Sequence, residues 1–286
     1  MKTILLALFV ALTIPSQIFP QWEWLNPRPH GNANNRIAFG GNANEYTIVG
    51  NAGIIMKTTN DGVDWSIQNS GTDINLKDIY ISGNEGIAVG NSGTILRTSD
   101  GGITWHLVNS GTTTHLTAVA FPTSNIGIIT GWNGLILHTT NGGTNWDSIA
   151  TPTTQRLYGV SFADADNGYA VGNAGVILKT TNGGVSWNSQ TSGTVQSLYD
   201  VSYVSPSTAV ATGGSGTIIR TTDGGSNWNS IGFFSNTRWG VSFASADHGV
   251  VVGDVNLISH TTDGGATWSS PSSFFLMVTN FHCVRF

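Results

Sequence analysis

One eight-residue motif returns six times in this chain at a spacing of 40 or 41 residues, and that period governs what the chain can fold into. The copies are TTNDGVDW (Thr58 to Trp65), TSDGGITW (Thr98 to Trp105), TTNGGTNW (Thr139 to Trp146), TTNGGVSW (Thr180 to Trp187), TTDGGSNW (Thr221 to Trp228) and TTDGGATW (Thr261 to Trp268). Each unit also carries four short runs rich in β-branched and aromatic residues. In the second unit these are Leu76 to Ile81, Gly86 to Gly90, Thr94 to Thr98 and Thr104 to Val108. Gly, Asn and Asp separate the runs, the pattern of strands joined by tight turns. A Gly-x-x-Gly pair lies between the second and third runs, at Gly50/Gly53, Gly90/Gly93, Gly131/Gly134, Gly172/Gly175 and Gly213/Gly216. Glycine there is expected to supply the positive φ of a hairpin turn.

A four-stranded unit of about 40 residues marks a propeller blade, whereas the coils of a parallel β-helix are roughly half that length. The expected fold is therefore all-β: a β-propeller of four-stranded antiparallel blades, six of them complete from about Asn34 to Ser270, plus an incomplete seventh. FHCVRF (Phe281 to Phe286) repeats the first-strand pattern of LYGVSF and RWGVSF, and WEWLN (Trp22 to Asn26) reads as a fourth strand without its blade. On this reading the chain is a truncated seven-bladed ring whose last blade holds only its first and fourth strands. Phe281 and Trp24 are then expected to be partly exposed at the seam.

Residues 1–21 read as a signal peptide, with Lys2 ahead of an apolar run from Ile4 to Ile14 that is too short to span a bilayer. The propeller then occupies 22–286, and the chain is expected to be exported to a periplasm, a cell surface or the medium. The single cysteine, Cys283, has no intramolecular partner for a disulfide. A net charge of −5 without any cluster of Lys and Arg excludes nucleic acid as a partner.

The repeated box is expected to be a turn staple. Its Asn or Asp (Asn60, Asp100, Asn141, Asn182, Asp223, Asp263) should accept backbone N–H bonds from two or three residues on. The glycine two residues later takes the left-handed conformation, and the tryptophan (Trp65, Trp105, Trp146, Trp187, Trp228, Trp268) folds back over the hairpin. Half of the boxes carry Asn, which argues against an acid, a base or a metal site, and no cofactor is expected. A basic residue precedes every box: Lys57, Arg97, His138, Lys179, Arg220 and His260. Because it travels with the box, it is expected to cap its own blade rather than to form a cationic ring for anionic partners.

The box S/T-x-D/N-x-G-x-x-W, set in blades that begin L-x-x-V-x-F and contain V-G-x-x-G, resembles the Asp-box (BNR-type) propellers. Within these it is most similar to the photosystem II stability and assembly factor-like family, over about Trp22 to Phe286. The resemblance implies a seven-bladed, exported, non-enzymatic propeller that handles partner proteins. Members acting on photosystem II are described as carrying an arginine patch, whereas the seven arginines here are spread singly. Such propellers also occur in exported proteins of non-photosynthetic bacteria, so the resemblance does not carry the photosynthetic role with it.

Catalysis has little to work with. A sialidase, which shares the box, would need three converging arginines and a Tyr/Glu pair, and the chain has only Glu23, Glu45 and Glu85. Asp78 and Asp200 occupy the same strand position in blades two and five, so they are the one pair a glycosidase could use. The candidate ligand site is elsewhere. The second residue of the first strand is Lys77, Thr117, Tyr158, Tyr199 and Trp239 in successive blades, and Trp132 stands in the second-to-third turn of blade three. Tyr158, Tyr199, Trp239 and Trp132, flanked by Arg156 and Arg238, form a candidate platform for a sugar chain or an extended peptide; alternatively the first three pack between blades. The expected partner is a protein or an extracellular glycan, with no membrane span after signal cleavage and a monomeric chain.

Overall fold

The computed structural model describes residues 33–40, 42–232, 235–255, 257–269 and 282–285. The expected signal peptide, WEWLN and Phe281 lie outside them. Within them the chain forms six antiparallel sheets, each with its strands in chain order, as the repeat requires. Blade four is typical: Leu157–Phe162, Asn167–Gly172, Ile177–Thr181 and Asn188–Gln190. Five sheets have four strands; blade six has three (Arg238–Phe243, Gly249–Gly253, Ile258–Thr261), with a single bridge from His260 to Ser269 where the fourth begins. The first strands line the axis and pack against one another in sequence around the ring.

A seventh blade is not among the described elements. Residues 282–285 nevertheless sit inside the ring. Val284 and Cys283 lie against Gly240 of blade six, and Cys283 packs with Ile37, Tyr46, Ile48 and Met56 of blade one.

The box turn is built around its threonine rather than its Asn or Asp alone. In blade four Thr180 Oγ1 accepts from Gly184 N at 2.9 Å and donates to Asn182 Oδ1 at 2.9 Å. Asn182 Oδ1 accepts from Ser186 N at 3.0 Å, four residues on rather than the two or three expected. The same set recurs in the other five boxes, and in the second Asp100 Oδ1 also accepts from Ile103 N, three residues on as expected, at 3.0 Å. Gly184 is left-handed (φ 89°), as expected, and a Cβ on it would collide with Ile128 of blade three. The turn glycines divide differently from expectation. The second of each pair has positive φ, but the first is extended, with φ near −160° (Gly172 −162°). Glycine is needed at Gly172 because a Cβ would run into the Arg156 carbonyl.

Two expected roles change because blades hold their neighbours. Trp187 does not cover only its own hairpin: it packs with Ala118, Ile128 and Ile136 of blade three. The basic residue before five of the boxes reaches forward instead of capping its own blade, while His260 stays with its own blade, its Nε2 3.2 Å from Ser269 Oγ. Lys57 Nζ donates to Gly101 O (2.7 Å), Arg97 Nε to Gly142 O (3.3 Å), Lys179 Nζ to Gly224 O (2.6 Å) and Arg220 Nε to Gly264 O (2.9 Å), while His138 meets the backbone of Gly183. The box carbonyls of Gly101, Gly142, Gly224 and Gly264 are thus anchored by the blade before them.

The box carboxylates also make stability depend on pH. Hydrogen bonds from Thr267 hold the Asp263 pKa at about 2, and those from Asn227 do the same for Asp223, against an ordinary value near 3.8. A lowered folded-state value means stabilisation present above the ordinary carboxylate range and lost as pH falls toward 2. The urea midpoint should therefore drop between about pH 4 and pH 2. In a variant carrying Asp100→Asn, Asp223→Asn and Asp263→Asn that drop should be visibly shallower.

Candidate functional site

The first strand and the second-to-third turn meet at one end of the axis, opposite the boxes. There, in blades two to five, the residue leading into the first strand braces the preceding blade's turn. Asn75 Oδ1 accepts from Ala52 N (2.8 Å), His115 Nδ1 from Ser92 N (2.8 Å), and Ser197 Oγ donates to Asn173 Oδ1 (2.8 Å). In blade four the brace is a stack. The Arg156 guanidinium lies 3.6 Å over the Trp132 ring and 5.6 Å from the Tyr158 ring. Trp132 is therefore half-buried rather than free in its turn, with His115 edge-on at 4.3 Å.

From this stack the aromatic residues run on without a gap. Strand register 41 and then 40 residues apart places Tyr158, Tyr199 and Trp239 at one level. Ring centroids are 5.2 Å apart for Tyr158 and Tyr199, 4.4 Å for Tyr199 and Trp239, and 5.3 Å for Trp239 and His282. Polar ends are tied inward. Trp239 Nε1 donates to Asp254 Oδ1 at 2.6 Å, and Tyr158 Oη donates to Asn173 Oδ1 at 3.3 Å. Burial raises the Tyr199 pKa, with Tyr158 adding to the effect. The result is an arc of half-buried rings, half a platform and half an inter-blade seam, with cations along it: Arg156 on its Trp132 stack and, one blade beyond Thr117, Lys77, whose pKa is lowered by burial.

Arg238 is a correction. It is 2% exposed and stands where blades two to five have Leu76, Leu116, Leu157 and Leu198, so it does not flank the arc. Burial lowers its pKa to about 10. His282 and His115 belong to the arc, although neither stands in a repeated motif.

Asp78 and Asp200 do lie together near the axis, but each is committed to the fold. Asp78 accepts from Ile79 N (3.0 Å) and Val119 N (2.9 Å), and Asp200 from Val201 N (3.0 Å) and Val241 N (3.3 Å), each reaching into the next blade. Arg36 Nε lies 3.4 Å from Asp78 and Arg36 Nη1 3.6 Å from Asp200. Burial works against the Arg36 charge, but Cys283, Asp200 and Asp78 outweigh it and raise its pKa. Among the described residues, no group of His, Cys, Asp and Glu has the geometry to hold a metal ion.

Residues 63–152 and 145–233 match the family Photosynthesis system II assembly factor YCF48, together more than half of the chain. The chain belongs to this family. Its fold agrees with two family structures: YCF48 bound to D1 peptide (18% identity, 85% of this chain and 81% of that one, TM-score 0.70) and YCF48 from Cyanidioschyzon merolae (19%, 86% and 87%, TM-score 0.70). The GH74 enzyme of Niastella koreensis is also similar in fold (17% identity, TM-score 0.68), with 82% of this chain covering 44% of that one. Among curated protein sequences there is no significant match.

Proposed function

We propose that this propeller is an exported, non-catalytic binding module of the assembly-factor type, and that it takes an extended protein segment along the aromatic arc. The observation that carries this is the unbroken run Trp132–Arg156–Tyr158–Tyr199–Trp239 at one mouth of the axis, where rigid rings offer contact area at low entropic cost. A structure similar in fold, from the same family, is of YCF48 bound to D1 peptide, which supports a protein partner. Export rests on the apolar run from Ile4 to Ile14. The non-catalytic reading rests on the commitment of Asp78 and Asp200 to inter-blade bonds. We further read residues 282–285 as the inner strand of an incomplete seventh blade, because Cys283 meets Gly240 as Asp200 meets Gly159.

The test is to screen the secreted protein against peptide and glycan arrays, with Tyr199→Ala and Trp132→Ala alongside. Peptide binding that both substitutions weaken at least ten-fold is the expected result. Saccharide binding lost in Trp132→Ala, without peptide binding, would replace this reading with a carbohydrate-binding one. Hydrolysis of any glycan, abolished by Asp200→Asn, would overturn the non-catalytic assignment.

A further inference from the structure

The axis has two separate mouths. Arg36 reaches from blade one to Asp78 of blade two and across to Asp200 of blade five, and Arg285 adds a second guanidinium at 3.2 Å from Asp200. Below this brace, on the box side, lies a cavity of about 520 Å³ that has Asp78 and Arg285 in its floor. That size falls in the range of small-ligand sites, roughly 300–1,000 Å³. Its wall follows from the repeat. Ser161, Ser202 and Ser242 share one position of the first strand, Tyr80 holds that position in blade two, and Arg285 holds it in FHCVRF.

The carboxylates in and beside this cavity already have partners. The carboxylates of Asp78 and Asp200 are taken up by backbone N–H groups and Arg36, and at the rim Asp164 accepts from Asp166 N, Asn167 N and Asn167 Nδ2. Arg285 is different. Its side chain is 29% exposed, and among the described residues its hydrogen bonds run from Nη1 alone, to Asp200 Oδ2 and Val284 O. Nε and Nη2 make no hydrogen bond to another described residue, and together they form the edge that pairs with a carboxylate through two parallel bonds. Phe121 and Phe162 supply an apolar wall for the carbon skeleton behind such a group.

We propose that this cavity is a binding site for a carboxylate, anchored by Arg285 with the Ser161 hydroxyl as an additional donor. The carboxylate is carried on a small organic acid or on a peptide, and the site is independent of the aromatic arc. It would give the propeller a ligand at each end of its axis.

Benzoate and a blocked pentapeptide ending in phenylalanine, with free or amidated C-terminus, are titrated against the secreted protein by calorimetry, with benzamide as the uncharged control. Saturable binding of benzoate, or of the free-acid peptide, is expected, with benzamide and the amidated peptide at least ten-fold weaker. Benzoate alone identifies a small acid, and the free-acid peptide alone identifies a chain-borne one. Arg285→Gln should weaken binding at least ten-fold. Because it also touches Asp200, Ser161→Leu is made in parallel: it fills the cavity while leaving the ion network alone, and should abolish binding with an unchanged melting temperature. Trp132→Ala should bind as the parent does, which separates this site from the arc. No binding of either acid, equal binding of benzamide, or binding that survives both Arg285→Gln and Ser161→Leu would each overturn the proposal.

Discussion

Arg36→Leu should lose about 3–5 kcal/mol of folding stability, the usual cost of removing one partner from a buried ion pair. Arg36 is 8% exposed and, among the described residues, it is the cation within ion-pair distance of both Asp78 and Asp200, themselves 3% and 1% exposed. Leucine would fill the space but leave two buried carboxylates facing each other across the axis, with Arg285 on only one of them. Those carboxylates also hold blades two to three and five to six together through Val119 N and Val241 N, so their repulsion acts on the ring itself. The triple variant Arg36→Leu, Asp78→Asn, Asp200→Asn should recover a large part of the loss, because an amide oxygen still accepts a backbone N–H bond without carrying charge. Urea unfolding with linear extrapolation measures both. A loss below about 1 kcal/mol in the single variant would mean that solvent reaches the brace and screens it.

How far the sequence discloses this molecule depends on the range of the interaction concerned. The box is legible because its hydrogen bonds close within four residues, from Thr180 to Gly184 and Asn182 to Ser186, and it repeats six times. The arc is legible because a register of 40 or 41 residues places Tyr158, Tyr199 and Trp239 at one level on consecutive blades. Arg238 could have been placed by the same reasoning: successive strand residues point to opposite sides, so it cannot share a face with Trp239. The forward reach of Lys57 or Arg220 is not legible, because a contact 44 residues away looks in sequence like one more copy of a local feature. Arg36 is hidden for another reason. Blade one's NNRIAF departs from the first-strand pattern, and nothing local says that its arginine crosses the axis to blade five. The cavity shows only when the ring closes and brings Ser161, Ser202, Ser242 and Arg285 to one level.

The box tryptophans should separate into classes by which neighbour they have. Trp187→Ala is expected to cost about 3–5 kcal/mol, as other buried aromatic truncations do. Trp187 is 5% exposed, lies edge-on to Phe162 at 6.1 Å, donates Nε1 to Gly184 O at 3.1 Å and fills a cluster shared by blades three and four. Its removal would open a cavity where neither blade can collapse without disturbing the other. Trp65 heads the series and is only half-buried, unlike Trp105, Trp146, Trp187 and Trp228, which sit in clusters that include the preceding blade. Trp65→Ala should therefore cost less than Trp187→Ala. Trp132→Ala should cost least, well under half of the Trp187 loss, because a half-buried ring that stacks on Arg156 gives up a cation–π contact of about 0.5–1 kcal/mol and limited apolar area. Denaturant midpoints for the three variants give the order directly. Equal losses at Trp187 and Trp132 would show that the arc is structural in the same sense as the boxes, and the division between tryptophans that hold the ring and tryptophans that face a ligand would fall.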